Sequence, residues 1–517
     1  MAQASGDNPV SSAWRIELVD ERATRALAAD IAAMVGAGDL VTLSGDLGAG
    51  KTTFARALIR LLVGDPELET PSPTFTLMQI YDGPAFPIVH ADLYRVGSPS
   101  ELADLGWDEA AEGALVLVEW PERAGEALTA DRLDVNLRLD VARGPYHRVV
   151  TITGAGAFGP KVARARAIHT LLAETGWSQA TRSFMLGDAS TRAYERLERP
   201  DGAVAVLMIS PPRPDGPAVR YGKPYSAIAH LAEDIRPFLA MDEALRQRGF
   251  SAPRLIGADA DAGVAMLEHL GSEPVVDANG PIPERYAAAV EVLARLHAMD
   301  LPEAAPVPTG GTHRIPHYDL DALGIEVELL TDWYAPHIAR IVLSSGARTN
   351  FAGLWRAALG PVVAAPATWA LRDYHSPNLL WLADREGVAR CGLIDFQDCV
   401  MGHPAYDLVS LLQDARVTVP DDLELKLLGY YARLRRENDP AFDMAAFAGA
   451  YAALGAQRAT KILGIFARLD KRDRKPQYLA HLPRVSRYLA KGLAHPSLSE
   501  LKAWHDANLP GALTHAA

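Results

Sequence analysis

Residues 40–62 read LVTLSGDLGAGKTTFARALIRLL, and this stretch decides the fold of the first part of the chain. Leu40–Ser44 is a short apolar run of the length a buried strand needs. The turn after it, G-D-L-G-A-G-K-T at 45–52, fits G-x-x-x-x-G-K-[ST]. Phe54, Leu58, Leu61 and Leu62 then fall at i, i+4, i+7 and i+8, which predicts one apolar helix face. Strand, glycine-rich turn and helix in that order predict an α/β domain of the P-loop NTPase-like kind, with a mainly parallel sheet. Backbone N–H groups of Gly45, Asp46, Gly48, Ala49 and Gly50 are expected to face phosphate oxygens. Lys51 is expected at the β- and γ-phosphates, and the Thr52 hydroxyl on Mg²⁺. A tight turn is the plain alternative for the loop alone; the strand before it and the amphipathic helix after it favour the nucleotide.

Working outward, Ile88–Ala91, Ala114–Glu119 and Val135–Leu139 are further strand-like runs. Asp92 follows one of them and Glu119 ends another, on the side of a parallel sheet where the loop also lies. One carboxylate would hold the metal's water shell and the other would orient the attacking water. The alternative is a pair of solvated strand-end acids.

The segments LSGDLGAGKTTFARAL, TPSPTFTL, HADLYR and LVEWPE, in this order, resemble the TsaE-type ATPase subunit of the bacterial machinery that makes threonylcarbamoyladenosine in tRNA. The resemblance covers about residues 15–155. It implies that Lys51, Thr52 and Thr53 contact ATP and Mg²⁺, that Thr74 is a switch-like loop residue, and that Asp92 and Glu119 complete the metal and hydrolysis site. Trp120 would pack near the nucleotide or serve as a rim aromatic. Implied partners are a threonylcarbamoyl transferase and its paralogous scaffold subunit, with tRNA reached only through that complex.

A second constellation lies far downstream. Residues 371–380 read LRDYHSPNLL and 393–398 read LIDFQD. An aspartate, an asparagine five positions on and then I-D-F are what a kinase-type phosphoryl transferase needs. Asp373 would accept the proton of the attacking hydroxyl, and Asn378 and Asp395 would hold Mg²⁺; a helix-cap aspartate and a turn asparagine are the alternative. Asp407 is expected to cap its helix and brace the loop, and His375 to be a packed loop residue. Upstream, LGDASTRAYERL at 186–197 would roof the triphosphate through Gly187, Ser190 and Thr191, and LEHLG at 267–271, with Glu268, would be the hinge meeting adenine.

From about 165 to 510 the chain resembles the aminoglycoside phosphotransferase-like kinases, a two-lobed α+β protein-kinase-like fold. Within them GDASTRAY, VLMISPP, LRDYHSPNLL and IDFQDCVMGHPAYDLVSLLQDAR are similar to the AmgK type, anomeric kinases of N-acetylmuramate and N-acetylglucosamine. One departure stands out: the strand that usually presents a lysine carries Met208. Arg192 or Arg213 would supply the charge, or Mg²⁺ and backbone would hold the triphosphate, or the lobe would be a degenerate scaffold.

The 517 residues suit several domains at about 150 residues each. The expected division is a first domain 1–155, a linker 156–164 at GAGAFGP, a small lobe 165–280 and a large lobe 281–517. A net charge of −13 argues against a generally basic nucleic-acid coat. Two cysteines, Cys391 and Cys399, exclude a disulfide framework or a four-sulfur zinc site. The N-terminus lacks an apolar signal core and no run nears the ~18 apolar residues of a membrane helix, so a soluble, cytoplasmic protein without membrane attachment is expected. The combined expectation is a bifunctional fusion with one set of ATP and Mg²⁺ per domain. Other hydroxyl acceptors (an aminoglycoside, choline or homoserine-like alcohol) stay open for the kinase half.

Overall fold

The computed structural model describes residues 13–98, 101–104, 106–185, 192–212 and 216–510. They form two compact units, Met1–Ser178 and Gln179–Ala517.

In the first unit the strands are β1 (Ala13–Leu18), β2 (Leu40–Ser44), β3 (Met78–Asp82), β4 (Pro87–Asp92), β5 (Leu115–Glu119), β6 (Leu133–Leu139) and β7 (Arg148–Gly154). They make one sheet in the order β1-β7-β6-β2-β5-β4-β3. The four central strands, β6, β2, β5 and β4, are parallel, and β1, β7 and β3 join antiparallel at the edges. Strands β2, β4 and β5 are buried on both faces because both faces are covered. Val41, Leu43, Leu115 and Leu117 belong to one core, and Leu40, Val89, Val116 and Val118 to the other.

Helices α1 (Glu21–Ala32) and α2 (Lys51–Val63) pack together. The buried stripe of α2 is Phe54, Ala55, Leu58 and Ile59. Leu61, expected on that face, is 49% exposed: the stripe is centred between Phe54 and Ile59, which leaves Leu61 at its edge in the last turn.

The linker expected at 156–164 is instead the start of helix α3 (Phe158–Glu174). Phe158 and Val162 are buried in the same core as Trp14, and Lys161 donates to the Met34 carbonyl at 2.8 Å. An apolar helix face needs a partner, and the sheet of the first unit supplies it. The division therefore falls at 178/179, and the small lobe begins after this helix rather than at 165.

The second unit opens with an antiparallel sheet of β8 (Thr181–Met185), β9 (Ala193–Glu198), β10 (Val204–Ile209), β11 (Leu255–Asp259) and β12 (Val264–Glu268), in the order β11-β12-β10-β9-β8. Helix α4 (Arg236–Gln247) lies between β10 and β11 in sequence. A helical part follows: α5 (Pro283–Leu296), α6 (Leu320–Leu329), α7 (Ser345–Val363), α8 (Ala405–Leu412), α9 (Asp421–Asn438), α10 (Met444–Lys471), α11 (Leu482–Leu493) and α12 (Ser499–Asn508). Small two-stranded ladders interrupt it. Strand β13 (Thr368–Ala370) pairs with β16 (Val400–Gly402), and β14 (Leu379–Trp381) pairs with β15 (Cys391–Leu393). A single hydrophobic core runs through both parts, and the stacked rings of Phe238 and Phe396, 5.1 Å apart, tie α4 to the I-D-F segment. Cys391 and Cys399 are buried free thiols. Among the described residues no helix is long and apolar enough to cross a membrane.

Candidate active sites

The loop after β2 turns because Gly45, Gly48 and Gly50 all take positive φ. Gly45 has the strictest need: at φ +132° a Cβ would lie 2.0 Å from the Leu137 carbonyl oxygen. With no side chain there, the loop can pass close to β6. Lys51 at the start of α2 folds back over it. Its Nζ donates to the carbonyls of Gly45 (2.7 Å) and Asp46 (3.0 Å) and stands 3.6 Å from the centre of the Trp120 ring. Burial holds the ammonium below its ordinary pKa, against the pull of Glu119 and Asp92. Arg148 Nε donates to the Ala49 carbonyl at 2.8 Å, pinning the loop to β7.

The strand ends bring the expected acids to the same place. Thr52 donates to Glu119 Oε2 at 3.0 Å, and Glu119 Oε1 meets His90 Nε2 at 3.0 Å. Asp92 Oδ2 accepts from Ser72 (2.7 Å) and Thr74 (3.3 Å), and its Oδ1 accepts from the Tyr94 amide at 3.0 Å. Both acids are almost fully buried, so they are not solvated strand-end carboxylates. Hydroxyls and carboxylates converging on one loop are the hard oxygen donors that suit Mg²⁺. Trp120 stacks near Tyr94 and lies against Lys51. Thr53 follows Thr52 in the first turn of α2 and is exposed. Ser72 and His90 were missed as site residues, although both stand in the quoted motifs TPSPTFTL and HADLYR.

In the second unit Asp373, Asn378 and Asp395 line one cleft of about 750 Å³. Asn378 Nδ2 donates to the Asp373 carbonyl (2.9 Å) and reaches Asp395 Oδ2 at 3.4 Å. Asp395 Oδ1 accepts from Gln397 Nε2 at 3.0 Å and pairs with Arg192 at 2.7 Å. Arg372 and Asp395 both stand in the left-handed region, at φ 67° and 62°. Such backbone persists only where the surroundings fix it, and Asp407 does so for the first. Its two oxygens accept from the amides of Leu371 (2.7 Å) and Arg372 (2.9 Å), both buried. It makes no cap for its own helix α8, whose N-cap is Pro404, because both its oxygens are spent on the loop.

Further buried groups hold the loop from other sides. Ser376 donates to Asp414 through its amide (3.0 Å) and hydroxyl (2.5 Å). Arg372 reaches the Ala229 carbonyl at 2.8 Å and Glu326 at 2.5 Å. Glu326 also takes Lys461 (2.9 Å), Gln457 (3.0 Å) and the Tyr318 hydroxyl. Burial alone would raise Asp373; the positive charges of Lys461, Arg458 and Arg372 oppose it, and the carboxyl lies below its ordinary range. His375 is buried and pushed down to about 4, so it stays neutral at physiological pH, a packed loop residue as expected. Asp414, Glu326, Lys461 and Arg458 carried no motif signal: they stand far apart in sequence and only the fold collects them.

The roof residues Gly187, Ser190 and Thr191, and Arg213, lie outside the described residues. Leu267–Ser272 line the cleft, Glu268 among them. Its amide donates to the Arg254 carbonyl (2.9 Å), and its carboxylate takes Arg385 (2.9 Å) and the Arg254 amide (3.0 Å). Val206 on β10 lines the cleft, whereas Met208, two residues on along the same face, is fully buried. Three oxygen-bearing side chains at one wall, two of them carboxylates, fit a divalent cation.

Family comparison divides the chain in the same way. Residues 18–145 match the model of the threonylcarbamoyl adenosine biosynthesis protein TsaE, and residues 183–447 match that of the phosphotransferase enzyme family. An N-acetylmuramate/N-acetylglucosamine kinase of Caulobacter vibrioides is 38% identical over 359 residues, 67% of this chain and 97% of that protein. A tRNA threonylcarbamoyladenosine biosynthesis protein TsaE of Rickettsia typhi is 43% identical over 122 residues, 24% of this chain and 84% of that protein. Bacillus subtilis YdiB, a solved structure, is 30% identical and covers 32% of this chain and 99% of its own, with a TM-score of 0.26. The chain thus belongs to two families at once, the TsaE family over its first part and the phosphotransferase enzyme family over the larger part that follows.

Proposed function

We propose that the chain is a bifunctional, cytoplasmic ATP-using protein. Its first unit hydrolyses ATP in support of threonylcarbamoyladenosine formation in tRNA, together with a threonylcarbamoyl transferase and that enzyme's paralogous scaffold. Its second unit phosphorylates the anomeric hydroxyl of N-acetylmuramate or N-acetylglucosamine.

The observation that carries the kinase reading is the convergence of Asp373, Asn378 and Asp395 on one cleft, with Asp407 fixing the loop behind them. Asp373, kept ionised by the cations around it, accepts the proton of the sugar's O1 hydroxyl as the O1–Pγ bond forms. The bond from Pγ to the ADP oxygen breaks, leaving ADP and a sugar 1-phosphate. Asn378 and Asp395 would hold Mg²⁺, which when bound would supply positive charge to the phosphates. Arg192, beside Asp395, takes the part of the strand lysine that Met208 lacks, and the stretch His269–Gly271 meets the base.

In the first unit Gly45, Asp46, Gly48, Ala49 and Gly50 cradle the triphosphate and Lys51 reaches its outer phosphates. Thr52, Asp92 and Glu119 would hold Mg²⁺ and orient the attacking water, and Thr74, hydrogen-bonded to Asp92, would follow the γ-phosphate. Met208 favours a second reading, in which the kinase lobe is a scaffold without turnover.

The test is the full chain with ATP, Mg²⁺ and either sugar, followed by phosphorus NMR for an acid-labile sugar 1-phosphate. Product that disappears in Asp373→Asn, with nucleotide binding at Lys51 retained, is the expected result. No product from either sugar would move the assignment to another acceptor or to the scaffold.

A further inference from the structure

One wall of the cleft carries a buried cation that acts on Asp373 at a distance yet forms no ion pair among the described residues. Arg458 lies on α10, 5% exposed, lines the cleft, and has no hydrogen-bond partner at Nε. Its guanidinium lies 5.8 Å from the Tyr406 ring, and among the described residues no carboxylate stands within ion-pair distance of it. Lys461, one turn further along, is different: Glu326 at 2.9 Å already neutralises it. A buried arginine with an empty donor is costly unless something pairs with it. Ile462, Ile465 and Phe466 continue the same helix along the cleft wall and give it an apolar flank.

We infer that Arg458 reads a carboxylate on the acceptor, so that this site selects a sugar acid, with the lactyl methyl and acetamido groups lying on Ile462, Ile465 and Phe466. The inference rests on the kinase reading above. A planar guanidinium matches a carboxylate in a way an ammonium does not. Asp373 lines the same cleft, and in N-acetylmuramate the carboxylate hangs from C3, two ring carbons from the reacting C1.

The experiment compares N-acetylmuramate, its lactyl methyl ester and N-acetylglucosamine as acceptors for the full chain, in wild type, Arg458→Met and Arg458→Lys. The reading is the ratio of kcat/KM between acid and ester. In wild type the acid should be favoured by about ten- to a hundredfold, the range of a charge-assisted hydrogen bond. Arg458→Met should bring acid and ester within about threefold of each other, and Arg458→Lys should recover part of the preference. Where Met leaves too little turnover, calorimetric binding of acid against ester to Arg458→Gln gives the same comparison. Equal use of acid and ester by wild type would overturn the inference. So would an Arg458→Met that keeps the wild-type ratio, or one that lowers all three acceptors by one factor while raising the KM for ATP. Wild type that phosphorylates none of the three sugars would instead remove the kinase reading itself.

Discussion

Replacing Asp242 with leucine should abolish a loss of stability that the wild-type kinase unit suffers as pH rises. Asp242 sits on α4, 1% exposed, and neither of its carboxylate oxygens has a hydrogen-bond partner. Burial pushes its carboxyl up to about 8; Arg246 opposes this, while Glu243 and Glu268 add to it. In the unfolded chain the same group ionises near 3.8. Its contribution to stability is therefore complete below that value and is lost progressively as pH rises toward 8, because the unfolded state gives up a proton that the folded state keeps. At about 1.4 kcal/mol per pH unit, going from pH 5 to pH 8 costs about 4 kcal/mol. For a unit of this size that is roughly 8 °C in Tm, at about 2 °C per kcal/mol. Thermal unfolding of the full chain at several pH values, with hydrogen exchange of α4 peptides to assign the transition, measures it. Asp242→Leu should flatten the curve and Asp242→Asn should flatten it too. Parallel curves for wild type and Asp242→Leu from pH 5 to 8 would refute the reasoning, since they would mean that Asp242 is ionised in the fold or solvated there.

Three further outcomes follow from the two sites. Asp407→Ala leaves the buried amides of Leu371 and Arg372 without acceptors, at about 1–3 kcal/mol each. Urea unfolding should show a loss of about 2–6 kcal/mol, and sugar phosphorylation should fall with kcat rather than KM. Gly45→Ala drives a Cβ to 2.0 Å from the Leu137 carbonyl, so binding of a fluorescent ATP analogue at the first site should be lost. Lys51→Met removes the ammonium held by the loop carbonyls; the first site should lose at least about a hundredfold in nucleotide affinity, on the order of two charge-assisted contacts, while sugar phosphate formation by the second unit is unchanged.

Local pattern made much of this legible. The strand, glycine loop and helix at 40–62 are contiguous, so spacing and residue type alone specify them. The triad Asp373, Asn378 and Asp395 spans one loop and one short hairpin, close enough in sequence to be read as a unit. The same local reading failed where a segment's role depends on what covers it. GAGAFGP has a linker's composition, yet Phe158 finds the sheet and starts a helix.

What the residues determined by themselves, then, is the chemistry of each phosphate site, because a phosphate loop and a catalytic loop are short-range devices built from backbone freedom and neighbouring side chains. Tertiary structure decided what surrounds them: the pairing of His90 with Glu119, the clasp of Asp407 on the catalytic loop, the neutralisation of Lys461 by Glu326, and the open donor of Arg458. Each of these rests on burial and on partners that stand tens to hundreds of residues apart, and burial is a property that only the folded chain possesses.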